Sequence, residues 1–361
     1  MTRFPRRTAA LAGAAALLLA TAGCGDDTAT SSSGSGSGSG TTPTITIVTY
    51  SSYVLDKKVQ RQVERDLGVK LKVSANGDGA EALSAAILTA GRPEGDIFFG
   101  VDNTLLSRAI DGKVFETTKA SDLPNLEGIP SELRLDTTGK LAPVDVGPVC
   151  VDYDQQWFTE HQLTPPASLA DLTKPEYRDL LVVESPVTSS TGLVFLMGTH
   201  AALGADADGF WKDLVANGVS VAGSWDDAWG SQYTVSGGDR PLVVSYASSP
   251  PAEVFYSDGK VTTPRSAVIE STCADQVEFA GVLRGSAHPR EAAKVLNAML
   301  GDAWQASLPL ANFVYPARTG VAVPDLFTQF APRPTKTIAL DPKVIGERRD
   351  EWVEAWRSIA E

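Results

Sequence analysis

Short apolar runs rich in β-branched residues alternate along this chain with longer stretches at helical spacing. Ile45-Thr46-Ile47-Val48-Thr49-Tyr50 alternates and predicts a first strand, with Tyr50 at its carboxyl end. Val54 to Leu67 keeps helical spacing and stops at Gly68. Val69 to Val73 reads as a second strand, and the turn Ala75-Asn76-Gly77-Asp78-Gly79 leads into an Ala-rich helix over Ala80 to Ala90. Asp78 stands where an N-cap would. Gly95 to Gly100 reads as a third strand, followed by Val101-Asp102-Asn103 and a further helix. This βαβαβα order predicts a parallel sheet with helices on its faces. Tyr50, Asp78 and Asp102 then lie on one edge of it, where open α/β sheets bind ligands.

The same pattern recurs further on. Pro143 to Tyr153 reads as one long strand bent at Gly147-Pro148, a candidate crossing between two lobes. Leu169 to Thr173 is a short helix, Leu180 to Val183 a strand, Leu193 to Leu203 a helix, and Gly209 to Ala216 a helix with Trp211 in the core. Leu242 to Val244 is a strand that delivers Ser245 and Tyr246 to its carboxyl end. Ile269 and Gln276 to Arg284 read as strands returning toward the first lobe. Helices over Pro289 to Leu300 and Pro342 to Ile359 follow, the last with Trp352 and Trp356 one turn apart. The expected division is residues 44–146 plus 281–361 in lobe 1 and 147–280 in lobe 2, with residues from both facing a cleft.

The amino terminus changes the setting. Arg3, Arg6 and Arg7 precede an apolar run from Ala9 to Ala22, too short for a typical span of about 20 apolar residues. Thr21-Ala22-Gly23-Cys24 resembles the bacterial lipoprotein box, although Thr21 stands where Leu is usual. Residues 1–23 are expected to be a signal peptide, with Cys24 the lipid-bearing first residue of the mature chain. The Ser/Gly tract that follows, within residues 24–43, behaves as a flexible tether with a reach of roughly 25 Å. Such an anchor holds the folded part at the outer face of the cytoplasmic membrane. Of three cysteines, Cys150 and Cys273 remain, both in strand-like runs of an exported chain, and are expected to pair as a disulfide. The formal charge of -13 argues against a nucleic-acid surface.

Candidate chemistry concentrates between Gly223 and Pro250. Trp225 beside Asp226 and Asp227 reads either as a core indole next to a helix cap or as an aromatic face for a flat cation. Ser189 and Ser190 sit at a helix start that either caps itself or binds an anion. No G-x-S-x-G elbow, P-loop or His-Glu-x-x-His motif occurs, and His161, His200 and His288 stand in unrelated contexts. No Cys/His cluster has metal-ligand spacing, so neither an enzyme nor a metal site nor a cofactor is expected.

Several stretches, in this order, carry a resemblance. They are Thr49 to Ser52, Asp78-Gly79, Asp96 to Asn103, Thr188 to Leu193, Gly223-Ser224-Trp225 with Ala228-Trp229-Gly230, Ser245 to Pro250, and Asn312 to Pro316. In them the chain resembles the thiamine-binding periplasmic proteins of bacterial ABC importers, over everything after the Ser/Gly tract. The resemblance implies the α/β, two-lobed periplasmic-binding-protein-like fold of type II, each lobe a mixed, mostly parallel sheet with flanking helices. It implies thiamine or its phosphate esters as ligand, delivered to a permease driven by a cytoplasmic ATPase. Trp225 becomes a stacking wall, Tyr50 and Tyr246 pocket hydroxyls, and Asp78 the carboxylate at the cationic ligand, in preference to Asp226 and Asp227. Ser189 and its neighbours meet the hydroxyethyl end or a phosphate. Phe313 stands where the family usually has Trp, and Ala252 where a further pocket Tyr is usual, so the aromatic cage reads as thinner. The alternatives are ferric ion or another organic cation such as a polyamine on the same fold, and an exported enzyme that modifies a pyrimidine.

Overall fold

In the computed structural model, which describes residues 42–361, the first alternating run is strand β1 (Thr44–Thr49), with Ile45 and Ile47 fully buried. Strand β2 (Lys70–Ala75) pairs parallel to it at the sheet edge and exposes every second residue near its start. Strand β3 (Ile97–Asp102) pairs parallel on the other side and is buried throughout. Its unbroken apolar run Ile97-Phe98-Phe99 is what a strand covered on both faces requires. The crossovers are the helices Lys57–Leu67 and Gly79–Leu88, each started by an aspartate cap, Asp56 and Asp78. The stretch expected to be a signal peptide, Cys24 and the expected tether up to residue 41 lie outside the described residues.

The remaining strands are β4 (Ala142–Val146), β5 (Val149–Asp154), β6 (Leu181–Glu184), β7 (Ser220–Ala222), β8 (Leu242–Tyr246), β9 (Ser266–Ala274), β10 (Val277–Val282) and β11 (Tyr315–Pro316). Among the described residues they form a six-stranded sheet in the order β11-β4-β10-β3-β1-β2 and a five-stranded sheet in the order β7-β6-β8-β5-β9. With their flanking helices the two sheets make the two lobes of a mixed α/β fold.

The run read as one bent strand is two strands in different sheets. β4 belongs to the first and β5 to the second, with Gly147-Pro148 between them. The chain returns between Ala274 and Val277, not at residue 280. β10 lies antiparallel between β3 and β4, so residues 277–280 sit in the first lobe. The disulfide joins Cys150 on β5 to Cys273 on β9, neighbouring strands of the second sheet. Both cysteines sit within a few residues of a crossing, so the bridge ties the two crossing strands together at the second lobe.

The carboxyl-terminal helix Pro342–Ala360 was expected with the first lobe, and its packing is mixed. Trp356 meets Trp211 of the second lobe edge-on at 6.0 Å between centroids, and Trp352 stacks on His200 at 4.4 Å. The same helix also touches the helix Leu106–Asp111 of the first lobe. Its two indoles therefore strap the second lobe while its early turns reach the first. Each fully buried large side chain of this kind contributes roughly 1.5–3 kcal/mol through its removal from water.

Candidate ligand-binding site

The carboxyl ends of β1 and β8 face a cavity of about 360 Å³ between the lobes. That volume falls in the ordinary range for small-molecule sites. Tyr50, just past β1, supplies one wall. Gly100 on β3 has φ +112, and a Cβ there would lie 2.6 Å from the Tyr50 ring. Glycine is needed for the ring to lie across the strand end. The ring also packs against Phe99 at 5.8 Å and Tyr53 at 6.2 Å. Its hydroxyl donates to Oε2 of Glu278 at 2.9 Å.

The second lobe supplies Trp225, Trp229 and Tyr246. Trp225 is held at both ends: its backbone N–H donates to Asp78 Oδ2 and its indole N–H to Ser245 Oγ, each at 2.9 Å. Its ring lies nearly parallel to Trp229 at 5.9 Å and tilted to Tyr246 at 6.2 Å. Tyr246 shares a hydrogen bond with Thr191 Oγ1 at 2.9 Å. One backbone and one side-chain anchor fix the residue while its ring lines the cavity.

The third wall is the loop Ala311 to Val314, carrying Phe313. Phe313 has φ +52, an unusual conformation for a bulky residue. Asn312 holds the loop by a reciprocal pair: Val54 N–H donates to its Oδ1 at 2.8 Å, and its Nδ2 donates to the Val54 carbonyl at 3.0 Å. Phe313 packs on Tyr256 at 5.5 Å. Tyr256, one helical turn beyond Ala252, also lines the cavity. The expectation of a thinner cage from Ala252 is therefore corrected, because the helix Pro250–Phe255 carries an aromatic ring to the same rim one turn later.

Tyr50, Trp225, Tyr246 and Phe313 thus come together around one space. Asp78, Asp102, Ser189 and Ser190 do not line it. Asp78 caps Gly79–Leu88 through Gly79 N–H at 2.6 Å, and its two oxygens also accept from Ser190 N–H at 3.4 Å and Trp225 N–H. It bridges the lobes with backbone donors that leave it little to offer a ligand. Gly79 makes this approach feasible, since a Cβ there would lie 2.8 Å from Cβ of Ser190. Asp102 is fully buried and accepts from Thr104 N–H at 2.6 Å, Thr104 Oγ1 at 2.5 Å, Leu105 N–H at 3.1 Å and Ser190 Oγ. Ser189 caps the helix Ser190–Leu203. The start of that helix already meets two carboxylates of the other lobe, which is where an incoming phosphate was expected. Burial raises both Asp78 and Asp102 above the ordinary carboxylate range, against the lowering effect of their hydrogen bonds.

The carboxylates on the cavity wall are Asp226 and Glu278. Asp226 accepts from Ser51 Oγ of the first lobe at 2.9 Å. Reading the sequence set Asp226 aside in favour of Asp78, and the placement reverses that order. Glu278 went unnoticed, as did its partner in register, Asp145 on β4. Both interrupt otherwise apolar strand runs, Val277-Glu278-Phe279 and Val144-Asp145-Val146. That interruption was the available signal. Burial, then mutual repulsion, raises Asp145 well above its ordinary range. Burial also pushes Glu278 up, while the Tyr50 hydroxyl pulls it down. No Lys, Arg or His lines the cavity among the described residues. Nor does any group of three or more His, Cys, Asp or Glu there stand ready to hold a metal ion.

Comparison with known proteins finds relatives that cover most of the chain. The thiamine-binding periplasmic protein of Salmonella typhimurium (strain LT2) is 28% identical over 315 residues, 86% of this chain and 91% of its own. That of Escherichia coli (strain K12) is 28% identical over 316 residues, with the same two coverages. A solved periplasmic thiamin binding protein superposes with a TM-score of 0.77 at 26% identity, covering 90% of this chain and 98% of that one. Iron-bound HitA from Pseudomonas aeruginosa superposes with a TM-score of 0.70 at 18% identity over 88% of this chain and 100% of its own, a likeness of fold alone. Residues 93–338, which include both crossings and most of the cavity wall, match the bacterial extracellular solute-binding protein family. With two sheets, two crossings and a cleft cavity in place, the chain belongs to the bacterial extracellular solute-binding proteins.

Proposed function

We propose that this protein captures thiamine in the interlobe cavity and delivers it to an ABC importer. The observation that carries the reading is the wall itself: the rings of Trp225, Phe313, Tyr50 and Tyr246 around a space that also holds Glu278 and Asp226 and no basic side chain. Thiamine joins a thiazolium of fixed positive charge to a flat aminopyrimidine. An aromatic face attracts the cation by roughly 0.5–2 kcal/mol per ring, and a nearby carboxylate adds a Coulomb term. The carboxylates also accept from the pyrimidine amino group, a charge-assisted hydrogen bond. The relatives named as thiamine-binding support the same ligand.

Trp225 is the stacking wall, with Phe313 opposite it in the third wall. The hydroxyls of Tyr50 and Tyr246 orient the ligand's polar edges. Glu278 and Asp226 supply the counter-charge. Asp78, Asp102, Ser189 and Ser190 act instead where the lobes meet. The lobes hinge at the two crossings, and ligand capture draws them together, a familiar transition for this kind of fold. The chain is exported and held by lipid on Cys24 at the outer face of the cytoplasmic membrane, with the Ser/Gly tract as tether. Its partners are a permease and that permease's cytoplasmic ATPase. It binds its ligand and returns it chemically unchanged.

Calorimetric titration with thiamine, thiamine mono- and diphosphate, spermidine and ferric citrate tests this. The expected result is one thiamine bound per chain. The diphosphate binds more weakly, because no basic side chain lines the cavity to meet its charge. Thiamine recovered intact after incubation agrees with binding alone, and a cleaved product overturns it. Heat with ferric citrate or spermidine and none with thiamine replaces the ligand.

A further inference from the structure

Glu278 on the cavity wall stands beside a second carboxyl, Asp145, buried next to it, with no Lys, Arg or His on the wall among the described residues. Glu278 on β10 and Asp145 on β4 are cross-strand partners in register in the first sheet. Glu278 is 5% exposed and Asp145 1% exposed. Neither takes part in a salt bridge among the described residues, and neither oxygen of Asp145 has a hydrogen-bond donor there. Cross-strand side chains at such positions have Cβ atoms about 5 Å apart. Two ionised carboxylates held that close and away from water are mutually costly, so one retains a proton.

The surroundings reinforce this. The groups acting on Glu278 come from every neighbouring element: Tyr50 and Tyr53 after β1, Asp78 at the cap of Gly79–Leu88, Asp102 on β3, Asp145 on β4 and Tyr246 on β8. All are acidic or neutral. The hydrogen bond from the Tyr50 hydroxyl favours the ionised form of Glu278. Burial is the largest influence on both groups and favours keeping a proton on the pair. Titration belongs to the pair and not to either residue alone.

We propose that Glu278 and Asp145 form a proton-sharing carboxyl pair that serves as the cavity's counter-charge, so that capture of a cationic ligand expels a proton. The proposal rests on the reading of the ligand as an organic cation. The exchange balances: the site gains the single positive charge of the thiazolium and releases one proton to solvent, leaving the charge of the occupied cavity unchanged. A neutral analogue of the same shape gains nothing from this exchange, so the pair also selects for charge. Affinity for thiamine accordingly rises with pH while the pair is protonated, by up to about tenfold per pH unit, and levels off once it is ionised.

Calorimetry of thiamine binding to the whole protein, at one neutral pH in buffers of different ionisation heat, measures the protons released. The expected release approaches one per thiamine, and it shrinks at alkaline pH. Asp145→Asn leaves Glu278 as the single titrating carboxyl, so the pH at which the release disappears moves from its wild-type position; an unmoved profile assigns the release to Glu278 alone and overturns the pair. Glu278→Gln loses the release and weakens thiamine at least tenfold. If neither variant folds, the wild-type buffer series still decides. Thiamine bound with the same heat in every buffer overturns the coupling and leaves the ligand in place. No heat with thiamine in any buffer overturns the ligand itself, and the coupling with it.

Discussion

At the scale of single residues, the cavity divides into what stacks and what carries charge. Trp225 is anchored within its own lobe by the bond from its indole nitrogen to Ser245, so part of the cost of ordering it is met before a ligand arrives. The bond from its backbone to Asp78 adds a second anchor when the lobes meet. Trp225→Ala is expected to weaken thiamine binding by at least about tenfold, roughly 1.4 kcal/mol, measured by calorimetry. The circular dichroism of the unliganded protein should stay unchanged, since the ring is only half-buried. The aromatic walls entered through the family resemblance, since the residues alone left Trp225 open between a core indole and a ligand face. The charge was not legible in the sequence. Glu278 and Asp145 sit in apolar strand runs, and only the pairing of β10 with β4, which are more than 130 positions apart in a 361-residue chain, places them together. For Asp78 the converse holds: its cap position was visible in the sequence, but the amide of Trp225 that meets its second oxygen comes from the other lobe and was not.

At the scale of elements, the contacts between the lobes gather at helix starts. Asp78 receives backbone donors from both the Trp225 turn and the helix Ser190–Leu203, and Ser51 reaches Asp226 across the cavity rim. A latch of this kind acts on the closed form. Asp78→Ala is therefore expected to speed thiamine release several-fold while leaving the association rate nearly unchanged, a split that stopped-flow tryptophan fluorescence reads. The loss of the helix cap should also lower stability by about 1 kcal/mol. The disulfide acts on a different element. Cys150 and Cys273 close a loop with a sequence separation of 123 and tie β5 to β9 beside both crossings. Replacing both cysteines by Ala is expected to lower unfolding free energy by about 2–5 kcal/mol, measured in urea. Most elements could be read from periodicity to within a few residues. The exceptions were the bent run from Pro143 to Tyr153, which is two strands, and β9, read around Ile269 as returning toward the first lobe but lying in the second sheet, whereas β10 does return to the first.

At the scale of the whole molecule, the buried acids give an unusual pH dependence. Asp145, Asp152, Glu184 and Glu278 are all raised by burial above the ordinary carboxylate range. A folded chain that holds protons the unfolded chain gives up is most stable below the unfolded pKa values. It loses that contribution as pH rises through the folded ones. The half-buried Asp171 and the exposed Glu351, held low by Lys174 and Arg348, act in the opposite sense, but solvent near the surface weakens both. The melting temperature of the unliganded protein is therefore expected to fall between about pH 5 and about pH 8, and differential scanning calorimetry reads it. Constant or rising stability over that range contradicts the burial of these groups as acids. The two-lobed plan itself was visible in the repeated strand–helix order and the bend at Gly147-Pro148. The carboxyl-terminal helix was harder to assign, because its indoles pack on one lobe and its first turns on the other. Capture of thiamine between these lobes is most directly tested by a crystal structure of the protein grown with saturating thiamine. The predicted result is the ligand in the interlobe cavity, a ring against Trp225 and its cationic or amino group at Glu278, with Asp78 still bonded to the Trp225 amide. Thiamine bound outside this cavity, or a cavity that stays empty at saturation, would contradict it.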